Sequence, residues 1–554
     1  MNLRLNTETI LREAIGRLVA QERMPPDLPL IVEVPKEESF GDFTTNVAMV
    51  AASRLRRPPR EVATALLAEM GDGGGFLEKA EVAGPGFINL TVAPREWHRA
   101  LAAAGAVGQR YGDGEGGAGK RVQVEFLSAN PTGPLHVGHG RVAAVGDVLA
   151  NLLAASGYAV EREYYINDAG RQMDLLGKSV LARYREVLGQ PSSFPEDGYR
   201  GEYIYTVARD LILKRGESLL GMADDEALQA AGLFAQDWIL RDIKDDLARF
   251  GVRFDHWVSE RAVLAAHPLE ELLRELEEAG LAFREEGALW LRTTRFGDDK
   301  DRVLIRNNGQ ATYFANDILY HREKYRRGYD LIIDIWGADH HGYVERMRAA
   351  VSALGRDPGS LRVILVNLVK LLRGGVQVAM STRAGEFDTL RQVIDEVGTD
   401  AARFLFNTRK ADSPLDFDLE VAVSQTMENP VYYVQYAHAR IRSILGRMPP
   451  GVTLPQAPAP EVLARLGLPE EMALVRRVAL YPDTVGQSAD ALEPHRIAFF
   501  LHDLASRFHT YYNQHRVLSH DADLTQARLF LVARIGQVLA HGLGILGVKA
   551  PENM

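Results

Sequence analysis

A chain of 554 residues exceeds what one hydrophobic core organises, and at about 150 residues per domain it predicts three or four folded units. Its 46% hydrophobic and 25% charged residues exclude the disordered and fibrous classes, and the absence of cysteine excludes disulfides and thiolate zinc, so no structural zinc is expected. A net charge of −10 excludes indiscriminate coating of nucleic acid, yet leaves room for local basic patches such as SRLRRPPR (53–60) and HARIRSILGR (438–447) that could hold one particular polyanion.

The first segment, MNLRLNTETILREAIGRLVAQER, spaces apolar residues at helical intervals and interrupts them with Glu8, Arg12, Glu13 and Arg17, which is unlike a signal peptide. No run of about 18 apolar residues follows, so a cytoplasmic location with no membrane partner is expected. Helical patterns then bracket LPLIVEVP, and the region ends in AEVAGPGFINLTV, whose alternation through Phe87, Ile88, Asn89 and Leu90 predicts a strand. This is a small α+β domain over 1–115, closed by the Gly-rich joint YGDGEGGAGK (111–120).

RVQVEFL then predicts a strand, and Val142, Val145, Leu149, Leu152 and Leu153 mark the buried face of a helix ending near Gly157. AVEREYYIND reads as a second strand, which completes a βαβ unit whose ligand site lies at the carboxyl ends of the strands. YDLIIDIWGADHHGY (329–343) and RVILVNLVKLL (362–372) predict the other half of a doubly wound sheet, with a charged helical insertion over about 171–300 between the halves. The expected architecture is therefore an α/β, Rossmann-type parallel-sheet catalytic domain over 119–390, preceded by the α+β domain. A helical connector (391–425) and a C-terminal all-α helical bundle (426–554), broken by MPPGVTLPQAPAPE (448–461), follow it.

Between the first strand and its helix lies SANPTGPLHVGHGRV (128–142), with His136 and His139 three residues apart. A helix N-terminus favours an anion such as a triphosphate, imidazole N–H groups can stabilise charge at a phosphorus under attack, and Gly138 lets a nucleotide lie close to the backbone. Alone, the pair serves equally as a helix cap; as a zinc site it would need further ligands that cysteine cannot supply.

HVGH resembles the HIGH signature of class I aminoacyl-tRNA synthetases, and VAMSTRAGEFDTL (378–390) resembles their KMSKS loop at the spacing of that class. FGDFTTNVAM, VEFLSANPTGPLHVGHGR, REYYINDAGRQ, YFANDILYH, MSTRAGEF, DAARF and YYVQYAHAR together resemble, in order and spacing, the bacterial arginyl-tRNA synthetase family along essentially the whole chain. The resemblance implies a ligase that activates L-arginine with Mg2+-bound ATP as a substrate, then transfers the arginyl group to the terminal ribose of tRNA(Arg). It also implies a monomer.

Carried over by position, the resemblance gives His136 and His139 catalytic roles and puts His136, Gly138, His139, Gly337, Asp339, Met380 and Ser381 on ATP. It places arginine on Glu125, Asn130, Tyr313, Asp317 and His340. The guanidinium is a permanent cation with a fork of five donors, so carboxylates backed by neutral acceptors suit it. For tRNA it implies Tyr433, Tyr436, Arg440 and Met554 at the anticodon loop, where aromatic rings stack on unpaired bases, and Phe87 with Asn89 at the elbow. Both signature lysines are missing from the KMSKS-like loop, which leaves Arg383 as the nearest cation for ATP and catalysis, with Lys370 and Arg373 as alternatives. Two rivals remain: a class I synthetase for another amino acid, and a tRNA-binding paralogue without activity. Glu125 and Asp317 count against the first, and the retained histidines against the second.

Overall fold

The computed structural model describes residues 2–378, 389–448 and 454–554. At its centre five parallel strands, β1 (Arg121–Phe126), β2 (Ala159–Ile166), β3 (His256–Ser259), β4 (Leu331–Gly337) and β5 (Leu361–Val366), lie in the order β5-β4-β1-β2-β3. The order reverses between β1 and β4, so the chain leaves these two strands in opposite directions and opens a crevice at their carboxyl ends. Both faces of the sheet are covered, so β4 (LIIDIWG) is apolar but for Asp334, and in β1 (RVQVEF) Gln123 and Glu125 are buried along with the apolar residues.

The helix Val137–Ala155 follows β1 and packs closely on it: a Cβ at Gly146 would lie 2.2 Å from the Phe126 ring. Of its predicted apolar face Val145, Leu149, Leu152 and Leu153 are buried while Val142 is half-buried at the cleft, and the chain turns out of it through Gly157 at φ +89°.

The passage predicted as a single helical insertion is interrupted. Helices Arg171–Val187, Glu202–Arg215 and Asp224–Arg249 do form one, but His256–Ser259 returns to the main sheet as β3 before a small antiparallel sheet of Ala282–Glu285, Ala288–Leu291 and Arg302–Ile305. A four-residue strand between charged helices has no apolar run by which to be recognised. The connector is likewise not wholly helical, since Leu415–Asp418 pairs in parallel with Val369–Arg373.

The N-terminal domain is α+β, with an antiparallel sheet of Phe43–Thr45, Phe87–Val92 and Leu77–Ala83 under four helices. Its last helix, Pro94–Val107, packs on Pro469–Asp490 of the C-terminal bundle, where Arg476 pairs with Asp42 at 2.7 Å. Helix Ala522–Ile545 is apolar and long enough to cross a membrane, but it is mostly buried as the core of that bundle. One buried side chain joins three parts of the molecule: the Arg403 guanidinium donates to the Phe250 and Leu546 carbonyls at 3.1 and 3.0 Å and pairs with Asp147.

Candidate active site

A cleft of about 580 Å3 opens at the switch point between β1 and β4. Of the sequence-predicted residues, Glu125, Asn130, His136, Gly138, His139, Asp317, Gly337, Asp339 and His340 all line it, although they come from segments as far apart as 125 and 340. Tyr313 belongs to the same helix as Asp317 but is 63% exposed and lies off the cleft wall. Met380, Ser381 and Arg383 lie outside the described residues. Of the alternative cations, Arg373 is held by Glu396 at 2.7 Å, and Lys370 is exposed on its strand.

The histidine pair caps its helix and faces the cleft at once. Nδ1 of His136 accepts from the amides of Gly138 and His139 at 3.1 and 3.3 Å, and Nδ1 of His139 accepts from the amide of His136 at 3.3 Å. With both Nδ1 atoms accepting, each ring proton resides on Nε2. The rings stack at 3.6 Å. Burial depresses both basicities, that of His139 to about 3 with help from His136, so the rings are neutral donors rather than cations. Gly138 leaves room for the capping ring: a Cβ there would sit 3.0 Å from the His136 ring, so the ring would have to shift by a few tenths of an ångström.

Immediately after β1 the chain takes two left-handed residues, Leu127 (φ +71°) and Ser128 (φ +38°), an arrangement costing about 1–3 kcal/mol at each non-glycine position. It lets the Ser128 hydroxyl donate to Glu125 at 3.0 Å while accepting from the amide of Tyr165 on β2 at 3.1 Å. Glu125 is thereby oriented from one side. On the other, its Oε2 meets Lys324 Nζ at 2.6 Å and accepts from Tyr320 at 2.9 Å.

Lys324 is fully buried and also pairs with Asp334 of β4 at 2.8 Å, while His321 bonds Asp334 from the other flank at 2.8 Å. Burial opposes the charge on Lys324, but Asp334, Glu125 and Glu163 outweigh it and raise its pKa. Asp317 accepts from Tyr343 at 2.5 Å. Burial pushes its carboxyl up to about 6; Tyr343 and His321 oppose this, and Glu125 and Asp334 add to it. Glu125, Asp317 and Asp334 thus line the cleft, while Lys324 behind it pairs with Glu125 and Asp334 and leaves Asp317 without an ion-pair partner among the described residues, which gives the floor more carboxylate than ammonium charge and suits it to a cationic ligand.

Sequence reasoning did not single out Tyr320, His321, Lys324, Asp334 or Tyr343. A signal was present: Asp317, Tyr320, His321 and Lys324 fall at i, i+3, i+4 and i+7, a polar stripe on a helix that crosses between buried strands.

In the C-terminal bundle, Tyr433, Tyr436 and Arg440 share one face of helix Pro430–Gly446. Arg440 donates to the Tyr436 hydroxyl at 2.9 Å, and Tyr433 packs against His502 and His509. Met554 is 52% exposed. In the N-terminal domain Phe87 is exposed, but Asn89 is 94% buried by its place inside the sheet, with its Oδ1 accepting from Thr44 at 2.9 Å. Of the two, Phe87 stands at the surface and Asn89 lies beneath it in the sheet.

A parallel sheet with this switch point and a histidine-capped helix beside it is the framework of a class I tRNA synthetase, and family comparison agrees. Residues 106–442 match the tRNA synthetases class I (R) catalytic domain, 6–92 the arginyl tRNA synthetase N terminal domain, and 434–554 the DALR anticodon binding domain. The chain is 52% identical to the arginine–tRNA ligase of Syntrophotalea carbinolica over 94% of each chain. It is 52% identical to that of Desulfosudis oleivorans over 96% of this chain and 95% of the relative. The arginyl-tRNA synthetase of Thermus thermophilus shares the fold across all of both chains, at TM-score 0.79 and 24% identity. The chain belongs to the arginine–tRNA ligase family, enzymes that charge tRNA(Arg) with arginine.

Proposed function

We propose that the cleft between β1 and β4 is where L-arginine and Mg-ATP react, with Glu125 and Asp317 holding the guanidinium and Asn130 and His340 completing the arginine site, and with Tyr313 reaching the bound arginine only by turning in from the rim of the cleft. The arginine carboxylate attacks the α-phosphorus, the bond to the bridging oxygen breaks, and pyrophosphate leaves. A hydroxyl of the terminal ribose of tRNA(Arg) then attacks the arginyl carbonyl and AMP departs. Catalysis of this kind rests on positioning and on donors aimed at developing charge. The Nε2–H groups of His136 and His139 are such donors, with Gly138, Gly337 and Asp339 around the nucleotide. Magnesium enters with the triphosphate as part of the substrate.

The observation that carries this reading is the meeting of an acidic floor and a neutral histidine pair in one cleft. ATP–pyrophosphate exchange run with each amino acid, with and without tRNA(Arg), tests it; exchange supported best by an amino acid other than arginine sinks it. In the same assay Arg383→Ala, with Met380 and Ser381 beside it in the signature loop, is expected to slow adenylate formation while arginine affinity stays nearly constant. A wild-type rate would move the role of phosphate cation elsewhere.

For tRNA we assign Tyr433, Tyr436, Arg440 and Met554 to the anticodon loop and Phe87 with Asn89 to the elbow. Tyr436→Ala is expected to weaken tRNA binding by about 1–3 kcal/mol, roughly the worth of one stacked base, with arginine and ATP affinities unmoved. Filter binding of tRNA(Arg) measures it, and unchanged affinity with earlier melting would make Tyr436 a packing residue. We retain the division 1–115, 119–390, 391–425 and 426–554, a cytoplasmic location and a monomeric state as part of this proposal.

A further inference from the structure

Helix Leu390–Val397 lies just beyond the signature loop and touches the histidine motif directly. Its Leu390 amide donates to the Leu135 carbonyl at 2.8 Å, Thr389 forms a backbone bridge with His136, and Thr389 and Gln392 close a capping box at the helix start. Leu390 also packs against the histidine helix so tightly that a Cβ at Gly140 would lie 2.6 Å from its Cδ1. The position of Leu390 therefore fixes the position of the His136 backbone.

The next residue, Arg391, is gripped by three acids of the insertion helix Asp224–Arg249. Its guanidinium meets Asp242 at 2.8 Å and Asp245 at 3.2 Å, and bonds Asp246, which is buried. One further link joins the same helices, Arg249 with Asp395 at 3.8 Å, and the Thr399 hydroxyl, on the helix that follows, donates to the Arg249 carbonyl at 3.1 Å. A forked cation among three carboxylates has one favoured orientation, unlike an ordinary surface ion pair.

We infer that Arg391, held by Asp242, Asp245 and Asp246, is a positioning residue that seats Leu390 against Leu135 and Gly140 and so sets where the histidine pair meets the α-phosphate. The inference rests on the assignment of that pair to ATP. Misplacement of catalytic donors by about 1 Å can cost a hundredfold in rate, whereas the arginine-binding acids stand on β1 and the Tyr313–Arg326 helix, outside this contact.

Single-turnover arginyl-adenylate formation with saturating tRNA(Arg) tests it on Arg391→Gln and on Asp246→Asn. Both are expected to slow the step at least about tenfold with less than a twofold change in arginine KM, and Arg391→Lys is expected to recover part of the rate because it keeps one ion pair. Wild-type rates in Arg391→Gln and Asp246→Asn overturn the inference. So does a parallel loss of rate, arginine affinity and melting temperature, which marks a merely structural contact. His139→Asn is the control for the underlying reading: if it leaves the rate intact, the histidine assignment fails, whereas if it abolishes the rate while Arg391→Gln does not, only the present inference fails.

Discussion

Replacement of Asp317 by Asn is expected to raise the KM for arginine by at least about thirtyfold with little change in the KM for ATP, because one charged partner of a desolvated guanidinium is removed at about 2–5 kcal/mol. Asn keeps an oxygen to accept from Tyr343, so the local structure should survive. Two side effects identify the cause. The Asp317 carboxyl is raised by burial to about 6, above the ordinary value of 3.8, so its ionised form is less favoured in the fold than in the unfolded chain once pH exceeds the ordinary value. At neutral pH the substrate-free Asn variant should therefore melt at a higher temperature than wild type. In wild type, arginine binding should weaken as pH falls through about 6 and the carboxylate protonates, and the variant should lack that component. An arginine KM unaltered by the substitution would remove Asp317 from the site.

Lys324→Met is expected to cost about 3–5 kcal/mol of stability, since Glu125 and Asp334 are left facing each other in the protein interior without the cation between them. The destabilising quantity is the uncompensated charge. Adding Asp334→Asn to Lys324→Met should therefore return much of the loss, while Glu125 remains available to arginine. Urea denaturation of both variants measures this, and a double variant no more stable than the single one would contradict the account.

Much of this arrangement could be read from the sequence. The two halves of the sheet announce themselves as apolar runs, the histidine pair by its Gly and Pro setting, and Glu125 and Asp317 by their place in motifs that resemble those of the family. What stayed hidden was set by tertiary contact. Lys324 looks like any charged residue near a helix end until β4 brings Asp334 beside it. Arg391 carries no local mark, because its three partners lie about 145 residues earlier on an insertion helix. Asn89 lies on a strand whose alternation is visible, but the direction in which its amide turns is decided by Thr44 on the neighbouring strand. The capping role of the histidines is met by one nitrogen of each ring, which leaves the proton on the other, and that division cannot be read from the H-x-x-H spacing.

The buried Arg403 joint makes the enzyme a calliper. Its guanidinium spans the histidine helix through Asp147, the end of the insertion helix through the Phe250 carbonyl, and the end of the last bundle helix through the Leu546 carbonyl, where Gly547 permits the approach. Swinging the bundle away from the sheet would break the Leu546 contact and leave a guanidinium N–H and that carbonyl unpaired in the interior, at about 1–3 kcal/mol, while Arg403 kept Asp147 and the Phe250 carbonyl. On the tRNA and substrate assignments proposed above, the jaws are the face of Tyr433 and Tyr436 at one end and the cleft at the other, and the Arg403 bond to the Leu546 carbonyl is one of the ties that hold them at a fixed separation. An RNA that offers its loop and its terminus at that one spacing fills both jaws; a shorter or longer one can fill only one of them.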